Sequence, residues 1–287
     1  MLIECDFIND WYSLMRDLLV NHYKFNQSDV DAIQDDELPF KCIYLEERLV
    51  KKAKRKVYVS NSFSCPSDIK PGWDGLKNKI ENGEDLTPYL SKKVSNLDYH
   101  DKMFNEWGIH HFHLGSRMIG GFIERTGCLL YALVTSDSVY AINIYQHNNW
   151  TKDSILQIIH DDWPNLIDKY KLNQGIMTHG VTQNERTALR KLNINSFFTA
   201  SNGDIYMPTG GGSVASGYST RTALIIIETK KKIDSITKAI CNLPDEYKDN
   251  LLLRGCKKGE KVSAKLIITD VCYSVVFPKY SYKIDFT

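Results

Sequence analysis

Three of the chain's eight histidines fall within four positions, at His110, His111 and His113, inside the stretch Asn105–Gly115. Arg117 and Arg125 follow, and His147 lies further along. Imidazole, with an ordinary pKa near 6.5, can take or give a proton at neutral pH. Side chains alternate across a strand, so residues of like parity share a face. Read as a strand, Ile109–Leu114 sends His110 to the side of Phe112 and Leu114, while His111 and His113 join Ile109. In a later strand, Val139–His147, the residues Tyr140, Ile142 and Ile144 make an apolar face and Asn143, Tyr145 and His147 the other. With the apolar faces packed on helices, His111, His113, Asn143, Tyr145 and His147 look out on one open side, flanked by Arg117 and Arg125.

Two chemistries suit such a face. The first is metal-independent cleavage of an RNA phosphodiester. His111 or His113 takes the 2′-hydroxyl proton, His147 protonates the leaving oxygen, and Arg117 and Arg125 stabilise the charge on phosphorus. In the second, His111 and His113 on one strand face ligate a divalent transition metal with His147 as third ligand, giving a metal-dependent hydrolase. No carboxylate shares the parity-matched set, and Glu106 and Glu124 are the acidic residues placed to reach it. A third reading is non-catalytic: hydrogen-bonded structural histidines in a binding or structural protein of a mobile element. Gly210–Gly217 lacks the Lys-Ser/Thr of a phosphate-binding loop and reads as a hinge.

The elements that must position these residues follow from periodicity. Residues 7–22 have helical spacing at Phe7, Trp11, Leu14, Leu18 and Leu19. A short helix is expected near Asp29. Pro39 reads as an interruption, and Cys42–Leu49 is ambiguous. The basic run Lys51–Lys56 leads into a strand at Val57–Ser60; it reads as a solvated basic face, with a phosphate-binding edge or a localisation-like tract as the alternatives. Loop-like residues 61–71 precede helical pieces around 73–82 and 86–94. Cys128–Thr135 is apolar on both faces, as a central strand is, and its short turn to Val139 predicts an antiparallel pair. A helix from about Thr151 carries Ile155, Ile158 and Ile159. Ile176–Val181, with His179, is a fourth candidate strand. Thr182–Glu185 has the form of a capping box, and Asn202–Gly203 is a hairpin signal. A long helix then runs to Pro244, and residues 262–286 alternate as a closing hairpin or sheet edge.

The expected fold is α+β: a helical N-terminal region with one strand (1–104), a central mainly antiparallel sheet with helices and the histidine face (105–209), and a C-terminal helix-and-hairpin module (210–287). With 287 residues and 43% hydrophobic composition the chain can bury a sizeable core. A formal net charge of +1 leaves nucleic acid to be held by a local patch only. No apolar run reaches membrane-spanning length. The order of residues after Met1 is not that of a secretion signal. Seven widely spaced cysteines read as reduced thiols, so a cytoplasmic location is expected.

The box Trp107–Gly115 followed by Arg125–Tyr131, on helices leading into a short antiparallel sheet with His and Arg, resembles RelE-type bacterial ribonuclease toxins. It is also similar to bacterial proteins of toxin–antitoxin or phage-defence settings. The resemblance covers about residues 84–165. It implies a cytoplasmic ribonuclease acting on RNA and restrained by an antitoxin protein, without a cofactor. The residues able to take the family's roles are His111, His113, Arg117, Arg125, Tyr131 and His147, with Tyr145 beside them.

Overall fold

The computed structural model describes residues 1–147, 152–173, 180–269 and 272–286. The expected strand Ile176–Val181 with His179 lies almost wholly outside them. The fold is α+β, as the sequence leads one to expect. It divides into two compact units, residues 43–223 and residues 1–42 with 224–287. This division differs from the expected borders near 105 and 210, because the first segment closes on the last: Leu2–Glu4 pairs in parallel with Lys261–Ser263.

In the larger unit a four-stranded sheet holds β1 (Lys56–Val59), β2 (Ile109–His113), β3 (Cys128–Val134) and β4 (Ser138–Gln146), in the order β1-β4-β3-β2. The pairs β2–β3 and β3–β4 are antiparallel, and β1 lies parallel to β4. Cys128–Val134 is thus a central strand and buries both faces. One face packs on helix α1 (Lys70–Asn82): Phe112, Leu130, Ala132, Ala141 and Ile144 meet Trp73, Leu76 and Ile80. Pro71 stands in the first turn of α1 rather than in a loop, where its missing N–H has no helical partner to lose.

The second face is covered as well. Met103 and Trp107 of helix α2 (Lys102–Trp107) and Ile155, Leu156 and Ile159 of helix α3 (Asp153–Asp162) pack on Ile109, Leu129, Tyr131 and Ile142. The open histidine face expected from parity is therefore closed. One reason is a β-bulge: Tyr131 faces Asn143 but Ala132 faces Ala141, leaving Ile142 as the extra residue. Strict alternation put Ile142 with Ile144. The bulge moves Ile142 to the opposite side, where it joins Leu129 and Ile109 as an apolar surface that demands a cover.

Helix α4 (Gln183–Lys191) opens on the expected capping box, with Thr182 and Glu185 exchanging bonds. The hairpin signal at Asn202–Gly203 joins Phe198–Thr199 to Ile205–Tyr206. Gly203 there has φ +90°, a left-handed conformation that suits glycine.

In the smaller unit the helix Phe7–Asp17 buries Phe7, Trp11 and Met15, while Leu14 faces outward. The closing strands form a three-stranded antiparallel meander, Lys265–Ile268, Tyr273–Phe277 and Tyr282–Phe286. Asp10 accepts a hydrogen bond from the Leu266 amide at 2.8 Å. Pro39 does not interrupt the chain. It lies in the first turn of the helix Leu38–Arg48, where proline is tolerated, and the ambiguous Cys42–Leu49 belongs to that helix apart from its last residue. Among the described residues no helix is long and apolar enough to cross a membrane.

Candidate histidine site at the edge of the sheet

The site is built at the junction of α2 and β2. Asp101 caps the N-terminus of α2, its Oδ1 accepting from the Phe104 amide at 3.0 Å. Gly108 ends the helix with φ +71°, so the chain turns directly from Trp107 into Ile109. The C-terminal carbonyls of α2 have outside donors. Gly210 N–H donates to Glu106 O and Gly212 N–H to Asn105 O, both at 2.9 Å. The Thr209 hydroxyl donates to Trp107 O, also at 2.9 Å. Gly210–Gly217 is thus a strap seated on a helix end, not the hinge its composition suggested. Glycine is required at position 210, where a Cβ would stand 2.4 Å from the Gly108 nitrogen.

Beneath this junction Glu106 is buried against two guanidiniums. Arg186 Nη1 lies 3.1 Å from Glu106 Oε1, and Arg190 Nε bonds Oε2. Both arginines also stack over Trp107, with Cζ at 5.3 and 4.2 Å from a ring centroid. Glu106 therefore fixes α2 to α4 and is not available to the histidines. Glu124 is likewise engaged: it takes a two-pronged bond from Arg117, at 3.1 Å from Nε and 2.6 Å from Nη2.

The structure gathers His111, His113, His147 and Arg125 at one corner of the sheet. The rings of His113 and His147 are 5.8 Å apart, centroid to centroid. The backbone holds His147 there, its N–H donating to Gly127 O at 3.0 Å. His111 and His113 are buried, at 8% and 2% exposure, whereas His147 is half-buried and Arg125 exposed. Burial is the chief cause that pulls His113 down to about 4, and the charge of Arg125 adds to it. His111 is lowered by burial against the opposing pull of Asp101, whose Oδ2 lies 3.7 Å from Nδ1. Asp101 is the acidic neighbour of His111 that sequence reasoning missed. Its only signal was an aspartate placed to cap the helix before the histidine box.

The other expected site residues are placed differently. Tyr131 lies opposite His111 on the neighbouring strand and meets Tyr145 edge-on at 5.7 Å. Tyr145 is opposite Leu129, which in turn is opposite His113, so two strand spacings of roughly 5 Å each separate Tyr145 from His113. Lys152 adds a cation over the Tyr145 ring at 5.1 Å. Asn143 turns to the loop after β1, accepting from the Ser64 amide and donating to Ser62 O. Arg117 stays in its ion pair on a short ribbon, Met118–Ile119 with Phe122–Ile123. For the metal reading, no group of three histidine, cysteine or acidic side chains among the described residues converges on a point able to hold an ion. Comparison with protein-family models, curated proteins and solved structures finds no match to this chain.

Proposed function

We propose that the histidine corner cleaves RNA without a metal, in the manner of a toxin or defence effector, with His113 as base, His147 as acid and Arg125 at the phosphate. The observation that carries this reading is the His113–His147 ring pair at 5.8 Å, with Arg125 close enough to act on His113. At neutral pH a buried, unprotonated His113 can accept the 2′-hydroxyl proton as that oxygen attacks phosphorus. His147 gives a proton to the departing 5′-oxygen, so the strand breaks into a 2′,3′-cyclic phosphate and a 5′-hydroxyl. Arg125 offsets the negative charge that accumulates on phosphorus. His111, oriented by Asp101, stands behind His113 as a second base of the same kind. RNA and a restraining antitoxin are the partners that go with this reading.

Incubation of total RNA with the purified protein in EDTA tests it. Fragments ending in cyclic phosphate are expected, with a loss of about 100-fold or more in His147→Ala and in Arg125→Ala. Both side chains reach solvent, so both variants are expected to fold. Intact RNA with the wild-type protein, and no growth defect on its expression, counts against the assignment.

The burial of His111 and His113 favours a second reading, a non-catalytic binding protein in which the imidazoles are packing residues. It is supported if His113→Gln leaves every nucleic-acid interaction unchanged while lowering stability.

A further inference from the structure

Away from the histidine corner, a cavity of about 390 Å³ opens where β2 begins and β3 ends. That size lies within the range of sites for small organic ligands. Its floor is apolar, with Leu133, Val134 and Ile167 among its residues. Its wall carries Lys51, Arg55, Lys169 and Arg221 against Glu46 and Glu47. The charges do not cancel. Arg221 is taken up by Glu47, Nε to Oε1 at 3.8 Å, and Glu47 also accepts from the Thr222 hydroxyl. Lys51, Arg55 and Lys169 have no carboxylate partner among the described residues.

Arg55 is the telling group. Its side chain is buried, and among the described residues its guanidinium is met by backbone carbonyls. Nε donates to Thr135 O at 2.8 Å, and Nη1 to Lys51 O and Ala53 O at 2.8 and 3.2 Å. Nη2 takes part in none of these bonds. A buried cation without a counter-ion is costly, and folded chains pair such charges. Here carbonyl dipoles hold the guanidinium in place and leave its charge for something that enters the cavity. Arginine forks and lysine ammoniums are the usual partners of phosphate oxygens. Glu46 on the rim can accept from a hydroxyl group, as acidic residues accept from ribose.

We propose that this cavity binds a small phosphate ester with a hydroxylated, partly apolar body, of the size of a nucleoside monophosphate. Its phosphate pairs with Arg55, Lys51 and Lys169. The claim is independent of the histidine corner. The two sites sit at opposite ends of β2, and His110, which lines the cavity, belongs to the other parity from His111 and His113.

Thermal unfolding and calorimetric titration of the full chain test the claim, with adenosine 5′-monophosphate, ribose 5-phosphate, adenosine and inorganic phosphate as probes. At saturating, millimolar concentration at least one of the two esters is expected to raise Tm by about 3 °C or more, and adenosine and inorganic phosphate to leave it unchanged. The charge reversals Lys51→Glu and Lys169→Glu are at exposed positions. Together they are expected to weaken ester binding at least tenfold while leaving the Tm of the free protein in place. Arg125→Ala is expected to bind the ester as the wild type does. The proposal is overturned if neither ester shifts Tm, if inorganic phosphate does as well as the esters, or if the double reversal binds as tightly as the wild type. Loss of binding in Arg125→Ala also overturns it, because the ester would then sit at the histidine corner.

Discussion

His113 shows how one side chain's surroundings set its chemistry. Its neutral form is favoured in the folded protein by burial and by Arg125, down to about pH 4. In the unfolded chain the same group titrates near 6.5. The folded state thus binds fewer protons between those values, so stability is complete above pH 6.5 and is lost as pH falls toward 4. One pKa unit is worth about 1.4 kcal/mol, so the fall from 6.5 to about 4 means that His113 alone is expected to cost about 3 kcal/mol across that window. Urea midpoints measured at about pH 7.5 and about pH 4.5 check this. His113→Gln is expected to reduce the difference, with buried His110 and His111 supplying the remainder, and an unchanged slope would show that His113 titrates normally.

At this scale the sequence was partly legible. Parity separated His110 from His111 and His113, and the neighbouring strands carry out that division. What parity could not show was the cover over the face, since α3 reaches it only through tertiary packing. Nor could residue types alone distinguish Arg125, which acts on the imidazoles, from Arg117, which spends its charge on Glu124.

Among the elements, α2 is held by a buried ion cluster. Its side chain Glu106 is buried between Arg186 and Arg190 of α4. Glu106→Gln removes the anion and leaves two guanidiniums inside, with Asp153 still pairing Arg186 at 2.9 Å. A loss of about 3–5 kcal/mol is expected from chemical denaturation. The i, i+4 arginines on a strongly amphipathic helix were the sequence signal for this clamp, but nothing local joined them to a glutamate 80 residues earlier. Helix α1 offers a sharper comparison within one element. A Cβ at Gly72 would stand 1.8 Å from the Leu114 carbonyl oxygen, whereas one at Gly75 meets nothing within 4 Å. Gly72→Ala is expected to destabilise by roughly 2–4 kcal/mol. Gly75→Ala is expected to stabilise by about 0.5–1 kcal/mol through its helix preference. Parallel melting curves of the two variants decide the matter; equal effects would mean that α1 is not pressed against β2. The strands themselves were legible from alternation, and the bulge in β4 was not, because an extra residue leaves no mark on the local pattern.

For the whole molecule, the two compact units are assembled differently from the chain. The larger is one continuous stretch, residues 43–223, and the smaller is made of both ends. Linear reading cut the chain into three consecutive blocks because short-range periodicity carries no information about which distant segments pair. The parallel ladder of Leu2–Glu4 with Lys261–Ser263 has a temporal consequence. During synthesis, residues 43–223 leave the ribosome as a complete unit, and domains fold as they emerge. Residues 1–42 are made before that unit, yet their strand has no partner until residues 261–263 are made. Ribosome-arrested chains that expose residues up to about 240 are expected to protect 43–223 from protease and leave 1–42 cleavable. Protection of 1–42 is expected only once residues 261–263 have emerged. Until Lys261–Ser263 has been made, the edge of Leu2–Glu4 has no ladder to join, and an unpaired strand edge is a template for mispairing with other chains.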